Sequence, residues 1–435
     1  MGKKYFIIRK KSMIDFNNAS FKDFENIESK TIDYKANHFS DYLDHLHSQG
    51  KLNYRLTSFD GCKSEINIQI PYFKKNLNVI SFVSNDYLGL TQNEEVKQAV
   101  IDAITKFGTG SAASPAIGGH FIYHEELEKK LSLFFKGEDT ILFNTGYTAN
   151  SSTFQALLNK EDIAILDMAV HASIYEGCQL TNVKTFLHNN MEMLERVLSS
   201  VQYKYRTKMI IVDGVYSQDG DIAKLDEIII LAKKYGAMIA VDDAHGIGVV
   251  GKTGRGVVEI FDAFDKIDLF VGTLSKAIGN LGGFVVGKKN VIRYLKFQAK
   301  QHLFSTTSTP AIAGALKALE IIENNTLYKD VLWSNINYFK KNLTQNGFDI
   351  GSPSSAVIPV KIGDINNTLI VGKLLLERGI HANPIMYPAV AKKDARIRFN
   401  LTANHSPTQL DKVISALNEI NQIIPIKKIN DRVKY

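Results

Sequence analysis

The sequence predicts an α/β fold, with a large domain built on a mainly parallel sheet and a smaller α+β domain after it. Between about residues 140 and 290, short apolar runs alternate with helical stretches. Strands that are buried on both faces of a parallel sheet are nearly continuous apolar runs, and each needs a crossover before the next strand. A chain of 435 residues also exceeds what one hydrophobic core usually holds. We therefore expect an N-terminal segment over 1–75, a large domain over 76–310 and a small C-terminal domain over 311–435.

The first part of the chain is polar and irregular in pattern. Residues 37–50 predict an amphipathic helix, because Tyr42, Leu43 and Leu46 fall near one face. The runs INIQI and NVISFV within 65–83 predict a small strand region. The stretch over 94–108 predicts a helix that stops at its final glycine.

The large domain contains apolar runs that predict the strands of its sheet, separated in several places by helical segments such as LDEIIILAKKYG. In such sheets, ligands bind beyond the carboxyl ends of the strands, so polar residues at those ends are the candidates for a site. The runs are TILFN (140–144), IAILD (163–167), KMIIVD (208–213), MIAVDD (238–243), DLFVGT (268–273) and GFVVG (283–287).

The chain from about residue 311 onward predicts the small α+β domain. Its periodicity switches repeatedly between that of a helix and that of a strand. The predicted elements are the helix AIAGALKALEIIENN, the strand VIPVKI, the helix TLIVGKLLLERGI capped by Gly379, the strand IRFNL (397–401) and the closing helix PTQLDKVISALNEINQII.

Composition excludes several classes of function. The net charge is +7 with a pI near 9.0, but no long Lys/Arg run with interleaved aromatic residues appears, so we expect no nucleic-acid partner. Two cysteines form no disulfide framework or metal cluster, which fits a reducing, cytoplasmic location. The basic N-terminus lacks the apolar core of a signal peptide, and no window predicts a transmembrane helix. Peripheral membrane contact through that N-terminus stays open.

Lys276 is the first candidate residue for chemistry, since it lies in VGTLSKAIGNLGG directly after an apolar run. A lysine at a buried strand end can be partly desolvated, which lowers its pKa and makes its amine nucleophilic towards an aldehyde. Thr273 and Ser275 place hydroxyls beside it that can bind phosphate oxygens. Taken alone, such a lysine is more often an ordinary surface residue.

Asp242 ends the run MIAVDD, and His245 follows it three residues later. A carboxylate at that depth needs a partner. A protonated pyridine nitrogen would be one, and the positive ring would then serve as an electron sink. His245 could bond a ring hydroxyl. The alternative is a capping aspartate and a satisfied core histidine.

Gly146, Tyr147 and Thr148 follow the run TILFN and open a predicted helix. Small residues at a helix N-terminus present backbone N–H groups and the positive end of the dipole to an anion. His171, just past IAILD, could stack on a flat ring. Each feature has a structural alternative, a plain strand-to-helix turn or a core histidine.

The four features together are far more specific than any one of them. They offer an anion site, a stacking ring, a carboxylate for a ring nitrogen and a lysine for an aldehyde, in that order on successive strand ends. These are the parts that a pyridoxal 5'-phosphate site needs. The segment GIGVVG (246–251) also matches the dinucleotide pattern G-x-G-x-x-G, but KTGRG follows where a helix should already run, and Asp268 is badly placed for a ribose.

At these residues the chain resembles the α-oxoamine synthases, which have the type I pyridoxal-phosphate-dependent transferase fold. The resemblance spans about residue 80 to the C-terminus and looks closest to the bacterial serine palmitoyltransferases. Glycine C-acetyltransferases and 8-amino-7-oxononanoate synthases come next. The motifs that carry it are SNDYLGL (84–90), LFNTGYTAN (142–150), HASIYEG (171–177), VDGVYSQDGDIAKL (212–225), VDDAHGIGVVG (241–251), GTLSKAIGNLGG (272–283) and ARIRFNLTANH (395–405).

The resemblance implies roles for the cofactor residues. Lys276 would bond the cofactor aldehyde and remove the substrate α-proton, while His171 would stack on the ring. Asp242 would pair with the pyridinium and His245 with the ring hydroxyl. The phosphate would be held by Gly146, Tyr147, Thr273 and Ser275.

The resemblance also implies substrates and partners. Arg398 would bind the amino-acid carboxylate, a task that suits a planar bidentate guanidinium, although its alternative is a surface arginine on an edge strand. Asn85 would lie near the substrate mouth. The substrates would be an amino acid and an acyl-CoA, or an acyl carrier protein, and the chain would form a homodimer.

The implied reaction is a decarboxylative condensation of a small amino acid such as serine with an acyl thioester, for sphingoid-base-like lipid synthesis. The alternative is glycine C-acetyltransferase or 8-amino-7-oxononanoate synthase activity. A silent partner subunit is disfavoured because Lys276 is present; an aminotransferase or retro-aldol lyase is a further alternative. Pro115 stands where many relatives have an arginine, so a different acyl group or amino acid, such as cysteate, is open.

Overall fold

The computed structural model describes residues 14–25, 27–70, 75–307 and 310–428. Over these ranges the predicted α/β class is confirmed, with a central sheet that helices cover and smaller sheets beside it. The sequence left open a peripheral membrane contact through the basic N-terminus. That stretch lies largely outside the described residues. No helix within the described ranges is long and apolar enough to cross a bilayer.

Helices and strands alternate along most of the chain. The strands are β1 Thr57–Ser58, β2 Glu65–Ile70, β3 Lys75–Ser81, β4 Asp139–Phe143, β5 Ile163–Asp167, β6 Asn182–Phe186, β7 Lys208–Asp213, β8 Met238–Asp242, β9 Leu269–Thr273, β10 Gly283–Gly287, β11 Val357–Lys361, β12 Ile380–His381, β13 Asn383–Ile385 and β14 Arg396–Asn400. The α-helices are α1 Ile32–Ser48, α2 Glu94–Phe107, α3 Ile122–Phe134, α4 Gly146–Leu157, α5 Ala172–Gly177, α6 Met191–Val201, α7 Leu225–Tyr235, α8 Val257–Ile260, α9 Lys289–Gln298, α10 Lys300–Phe304, α11 Pro310–Asn324, α12 Leu327–Gln345, α13 Ile365–Glu377 and α14 Pro407–Asn421.

The central sheet has the strand order β4-β10-β9-β8-β7-β5-β6. Strands β5 to β9 pair in parallel, whereas β10 is antiparallel to both β9 and β4. The predicted mainly parallel sheet is therefore confirmed, and every apolar run assigned to it is a strand. Its register pairs Asp213 with Asp242, so two carboxylates end neighbouring strands at the same edge.

The N-terminal segment packs on the C-terminal part of the chain. Helix α1 contains the predicted amphipathic helix and begins earlier, where the Thr31 side chain accepts a hydrogen bond from the Tyr34 N–H. Tyr42 and Leu46 are buried in one cluster with residues of α13. Strands β2 and β3 form a hairpin, and β3 pairs in parallel with β12, which follows α13.

A small antiparallel sheet of order β11-β14-β13 carries the predicted substrate arginine. Arg398 lies on the central strand β14, opposite Pro359 of β11 and Asn383 of β13. The prediction that IRFNL forms a strand is confirmed, but the strand is not at an edge. Strands on both sides hold the Arg398 backbone in place, which fixes where its side chain begins.

Candidate active site

The carboxyl ends of β5, β7, β8 and β9 surround a central cavity of about 230 Å³. The cavity is where the sequence placed its site, because ligands of open α/β sheets bind at this edge. All the predicted cofactor residues line it: Gly146, Tyr147, His171, Asp242, His245, Thr273, Ser275 and Lys276. The structure therefore brings together residues that are spread over 130 positions of sequence.

Lys276 follows β9 and points its amine into this cavity. Burial lowers the pKa of Lys276 to about 8, against the opposing attraction of Asp242 and Asp213. Near neutral pH the neutral amine is thus a minor form, but a far larger one than for an ordinary lysine. A neutral, partly desolvated amine is the form that attacks an aldehyde.

Asp242, at the end of β8, is 7% exposed and is held by two donors. The Asn150 side chain donates to its Oδ2 at 2.6 Å, and the Ala244 N–H donates to its Oδ1 at 3.0 Å. The arrangement fits a partner that carries a positive charge, such as a protonated ring nitrogen.

His245 is buried, and its Nδ1 lies 2.6 Å from the Tyr87 hydroxyl. Burial, reinforced by the charges of Lys276 and Arg398, lowers the pKa of His245 well below its ordinary value. The ring is therefore neutral, with one nitrogen held by Tyr87 and the other left to contact the cavity. A neutral imidazole in this position can share a hydrogen bond with a phenolic ring oxygen.

The N-terminus of α4 and the turn after β9 form the anion end of the cavity. Helix α4 begins at Gly146, capped by Thr145, whose side chain accepts the Thr148 N–H at 3.0 Å. A Cβ at Gly146 would lie 2.8 Å from the Thr273 side chain, so only glycine allows this approach. The Thr273 and Ser275 hydroxyls are 2.7 Å apart. Backbone N–H groups, the helix dipole and two hydroxyls suit a phosphate.

Tyr147 contributes to this end through its backbone position in the first turn of α4. Its side chain is exposed, and the hydroxyl donates to Glu176 at 2.5 Å. The ring lies edge-on to His171, with centroids 5.9 Å apart.

His171 lies on the open side of the cavity, where it caps α5. Its Nδ1 is 2.8 Å from the Ser173 hydroxyl, which fixes the ring. Partial desolvation lowers the pKa of His171, and Lys276 adds to this, although Asp242 opposes it. Its backbone N–H donates to Asp213 at 3.3 Å. A ring held in this way suits stacking on a flat cofactor.

Asp213 is a cavity residue that the sequence analysis did not single out. Burial, with the nearby Asp242 charge as a second cause, raises the pKa of Asp213 well above its ordinary value. The sequence analysis also assigned no role to Tyr87 or Asn150, although both lie inside the motifs that carry the family resemblance. The sequence gives little indication of such roles, because each residue acts by bonding another side chain of the site.

Arg398 reaches the same site from the small sheet. Its Nη1 donates to the Ser217 carbonyl at 3.0 Å, while its Nε is buried without a hydrogen-bond partner among the described residues. Burial is the main cause of the lowered pKa of Lys276 and of His245, and the Arg398 charge lowers both further. The guanidinium therefore lies near both groups. An unsatisfied buried N–H of this kind points to a substrate anion, and a carboxylate is the natural match.

Asn85 bonds the strand that carries this arginine, and its predicted position near the substrate stays a prediction. Its Oδ1 accepts the Asn400 side chain at 3.0 Å, and Asn400 is two residues after Arg398 on the same face of β14. The Tyr87 hydroxyl is 3.3 Å from the same oxygen. Asn85 thereby links the arginine strand to His245 through Tyr87.

A second cavity, of about 540 Å³, continues from the first and shares His171 and Ser217 with it. Residues of the N-terminal segment, including Lys22, Tyr42 and Tyr54, line it together with residues 385–389. Lys22 and Lys392 hold their amines 5.7 Å and 5.8 Å from the Tyr387 ring centroid. The space is large enough for an acyl chain beside the cofactor cavity.

The described residues fit pyridoxal 5'-phosphate. The fit rests on the glycine-restricted approach at α4, the buried carboxyl group of Asp242 and the buried amine of Lys276, which match the phosphate, the ring nitrogen and the aldehyde in turn. No group of three or more His, Cys, Asp or Glu residues within the described part of the chain could hold a metal ion.

Two further sequence interpretations can be compared with the structure. The dinucleotide-like segment 246–251 is followed by a helix, α8, only from Val257, so the helix that such a motif needs directly after it does not start there. Pro115 lies in a turn whose Ser114 carbonyl accepts three N–H groups. Among the described residues, its loop contacts Thr307 rather than lining either cavity, and its effect on specificity stays a prediction.

Known proteins resemble this chain in sequence. The aminotransferase class I and II family matches residues 78–417. The 8-amino-7-oxononanoate synthase of Thermoanaerobacter pseudethanolicus is 44% identical over 351 residues, which cover 80% of this chain and 89% of the relative. The synthase of the same name from Petrotoga mobilis is 44% identical over 349 residues, covering 79% and 88%.

Solved structures resemble it in fold. Serine palmitoyltransferase from S. paucimobilis, with a bound PLP–myriocin aldimine, superimposes with a TM-score of 0.85 at 30% identity, covering 91% of this chain and 99% of the other. The 8-amino-7-oxononanoate synthase from Francisella tularensis gives a TM-score of 0.67 at 26% identity, covering 79% and 97%.

Proposed function

Because the chain belongs to the class I and II aminotransferase family, and within it to the pyridoxal-phosphate-dependent α-oxoamine synthases, we propose that it condenses alanine with a dicarboxylic acyl thioester. This is an 8-amino-7-oxononanoate synthase activity. The observation that carries the proposal is the identity of 41–44% to curated synthases of that name, over about 80% of the chain.

The product name fixes the substrates by chemistry. In the product, the amine is on the carbon between a terminal methyl group and a ketone. Alanine supplies this methyl group, this carbon and the amine, after its carboxylate is lost as CO2. The remaining carbons form a straight acyl group that ends in a carboxylate. The new C–C bond joins the alanine Cα to the acyl carbon, while the thioester C–S bond and the Cα–carboxylate bond break. A thiol and CO2 leave.

Residues of this chain have defined tasks in that reaction. When bound, the cofactor supplies an electron sink for the pair of electrons left on Cα. Asp242 keeps the ring nitrogen protonated, His171 covers one ring face, and the Lys276 amine moves the α-proton. Arg398 binds the substrate carboxylate through its free Nε edge. The second cavity receives the acyl chain.

Two lysines beside Tyr387 support the choice of a dicarboxylic acyl group. Lys22 and Tyr387 line the second cavity, and the Lys22 and Lys392 amines lie 5.7 Å and 5.8 Å from the Tyr387 ring centroid. A cation there suits a terminal carboxylate, which a fatty acyl chain lacks.

Serine palmitoyltransferase activity, which the sequence interpretation favoured, is the second candidate. The relatives of 41–44% identity do not support a sphingolipid role. The observation in its favour is the structural match, which covers 99% of the S. paucimobilis enzyme at a TM-score of 0.85. The two activities differ in both substrates, so one experiment separates them.

The experiment uses the purified holoprotein. Alanine, serine, glycine and cysteate are titrated while the cofactor absorbance is followed, and free thiol and CO2 are then measured with a seven-carbon dicarboxylic monothioester and with palmitoyl-CoA. We expect alanine with the dicarboxylic thioester to be turned over fastest. Preference for serine with palmitoyl-CoA would instead establish the second candidate. The absence of any spectral shift would contradict both.

We also propose that the chain is a homodimer, as is usual in its family. Ile117 and Phe304 are 84% and 71% exposed, and their segments are joined through the Ser111–Thr307 hydrogen bond. Such apolar exposure on one face suits an interface. Light scattering on the eluting protein should give twice the 48.6 kDa of one chain; a monomeric mass would contradict this.

A further inference from the structure

The residues 217–221, called here the positioning loop, connect the central sheet to the small sheet. The loop follows β7 and is closed at its base by the bridge between Val215 and Ile222. Inside it, the Tyr216 N–H donates to the Asp221 carbonyl at 3.0 Å. The loop is therefore a compact unit rather than a loose connection.

The small sheet contacts the loop through several loop carbonyl groups and through an ion pair between Arg396 and Asp219. Arg398 donates to the Ser217 carbonyl at 3.0 Å, and Arg396 donates to the Gln218 carbonyl at 3.2 Å. The Gly220 carbonyl accepts from the Ser354 N–H at 2.8 Å and from the Ser355 hydroxyl at 2.9 Å. The position of the loop backbone thus sets the direction in which Arg398 points.

The central sheet holds the other side of the loop through His188. Its Nε2 lies 2.8 Å from Asp221 Oδ2, and its Nδ1 lies 3.2 Å from Oδ1 of Asp167 at the end of β5. Since both partners are carboxylates, which only accept hydrogen bonds when ionised, both ring nitrogens must donate. Asn189 adds a bond to the same Asp221 oxygen at 3.1 Å.

We propose that His188, acting through Asp221 and the positioning loop, orients Arg398 for the substrate carboxylate. His188 is a positioning residue in this scheme, since it touches neither cavity. The inference rests on the proposed function only because it requires an amino-acid substrate. Every amino acid that is a candidate substrate has the carboxylate that Arg398 would bind. It assigns a task to the HNN sequence at 188–190, which none of the catalytic roles uses.

The test separates carboxylate binding from general stability. The holoprotein and the variants Asp221→Ala, Asp221→Asn and His188→Gln are titrated, with the cofactor absorbance as readout, against alanine and against alaninol. Alaninol keeps the amine but lacks the carboxylate. Lys224→Ala is the matched control, because Lys224 lies three residues after Asp221 and pairs only at 3.7 Å with surface Glu227. If serine or glycine gives the larger shift in the unsubstituted protein, that amino acid and its amino alcohol are used.

We expect Asp221→Ala and His188→Gln to weaken alanine binding about tenfold, with alaninol affinity unchanged. Asp221→Asn, which keeps an acceptor, should lose less. In an Arg398→Lys background, His188→Gln should add little further loss, because the two act through one contact. Equal losses for alanine and alaninol, or full additivity with Arg398→Lys, would overturn the proposal. A missing shift in the unsubstituted protein would instead count against the proposed function.

Discussion

The Nδ2 atom of Asn150 lies 2.6 Å from Oδ2 of Asp242, although the two residues are 92 positions apart in sequence. Asn150 is on the second turn of α4, the helix whose N-terminus forms the anion end of the cavity. Helix α4 therefore contributes to both ends of the cofactor cavity. Its first turn lies at the proposed phosphate site, and Asn150 bonds Asp242, the proposed partner of the ring nitrogen. Asn150 itself is held by the Ser173 hydroxyl at 3.0 Å.

Substituting Asn150 should weaken cofactor binding. Asn150→Ala removes a hydrogen bond to a charged group, so we expect the dissociation constant for pyridoxal phosphate to rise about tenfold. Asn150→Asp should be worse, because two adjacent carboxylates repel unless they share a proton. Equilibrium dialysis with cofactor absorbance measures both. Gln155→Ala, on the same helix, is the control, and an unchanged constant in Asn150→Asp would refute the assigned role.

The sequence was most informative where one residue type does one task at a strand end. Lys276, Asp242 and Gly146 each follow an apolar run, and the fold places strand ends together, so their meeting could be predicted. Asp213 carries the same signal, since it ends the run KMIIVD, but it was not singled out. Asn150 and Tyr87 could not be predicted, because their roles depend on which side chain lies opposite in space.

The same limit applies to secondary structure. Strand β6 was missed because three of its five residues are exposed, which leaves no apolar run. Helix α12 carried a usable signal that was not read, since Leu332, Ile336, Phe339 and Leu343 recur at helical spacing and are buried. The N-terminal segment has no regular apolar pattern that would predict its packing. Its buried residues pack on α13, which is more than 300 positions away in sequence.

Covalent capture of the cofactor should depend on pH through Lys276. Burial lowers the pKa of Lys276 to about 8, so the reactive neutral amine should predominate above that pH and decline below it. We expect the rate at which apoprotein bonds pyridoxal phosphate to rise with pH and level off above about 8. Stopped-flow absorbance measures the rate.

Borohydride reduction identifies the amine that reacts. Peptide mass spectrometry should place the reduced pyridoxyl group on the peptide that carries residue 276, and Lys276→Arg should abolish the label. Label on another peptide, or a rate independent of pH between 7 and 9, would be incompatible with the assigned role.

The stability of the protein should carry a pH signature of His188. Burial alone would lower the pKa of His188, but hydrogen bonds to Asp167 and Asp221 overcome it and raise the pKa to about 10. An unfolded histidine has a pKa of about 6.5. The stabilisation is therefore complete below about pH 6.5 and is lost as pH rises through about 10.

Comparing the unsubstituted protein with His188→Gln isolates this contribution. The difference in the free energy of unfolding should be largest at or below pH 6.5 and should shrink by up to about 1.4 kcal/mol per pH unit towards pH 10. Urea unfolding at several pH values measures it. A difference that stays constant over this range would show that His188 is not held as an imidazolium.

Lys22 should distinguish the two candidate acyl substrates. Lys22 lines the second cavity and its amine lies beside the Tyr387 ring. An exposed ion pair with a terminal carboxylate is a modest interaction. Lys22→Ala should raise KM for the seven-carbon dicarboxylic monothioester about two- to fivefold and leave KM for the neutral acyl thioester of equal length unchanged. Thiol release at varied substrate concentration measures both constants.

Lys30→Ala is the control, because the Lys30 amine packs over Tyr34 in the same N-terminal segment. Since both thioesters share the same carrier, an equal rise for both would mean that Lys22 contacts the carrier, and no rise for either would remove the support that Lys22 gives to a dicarboxylic substrate.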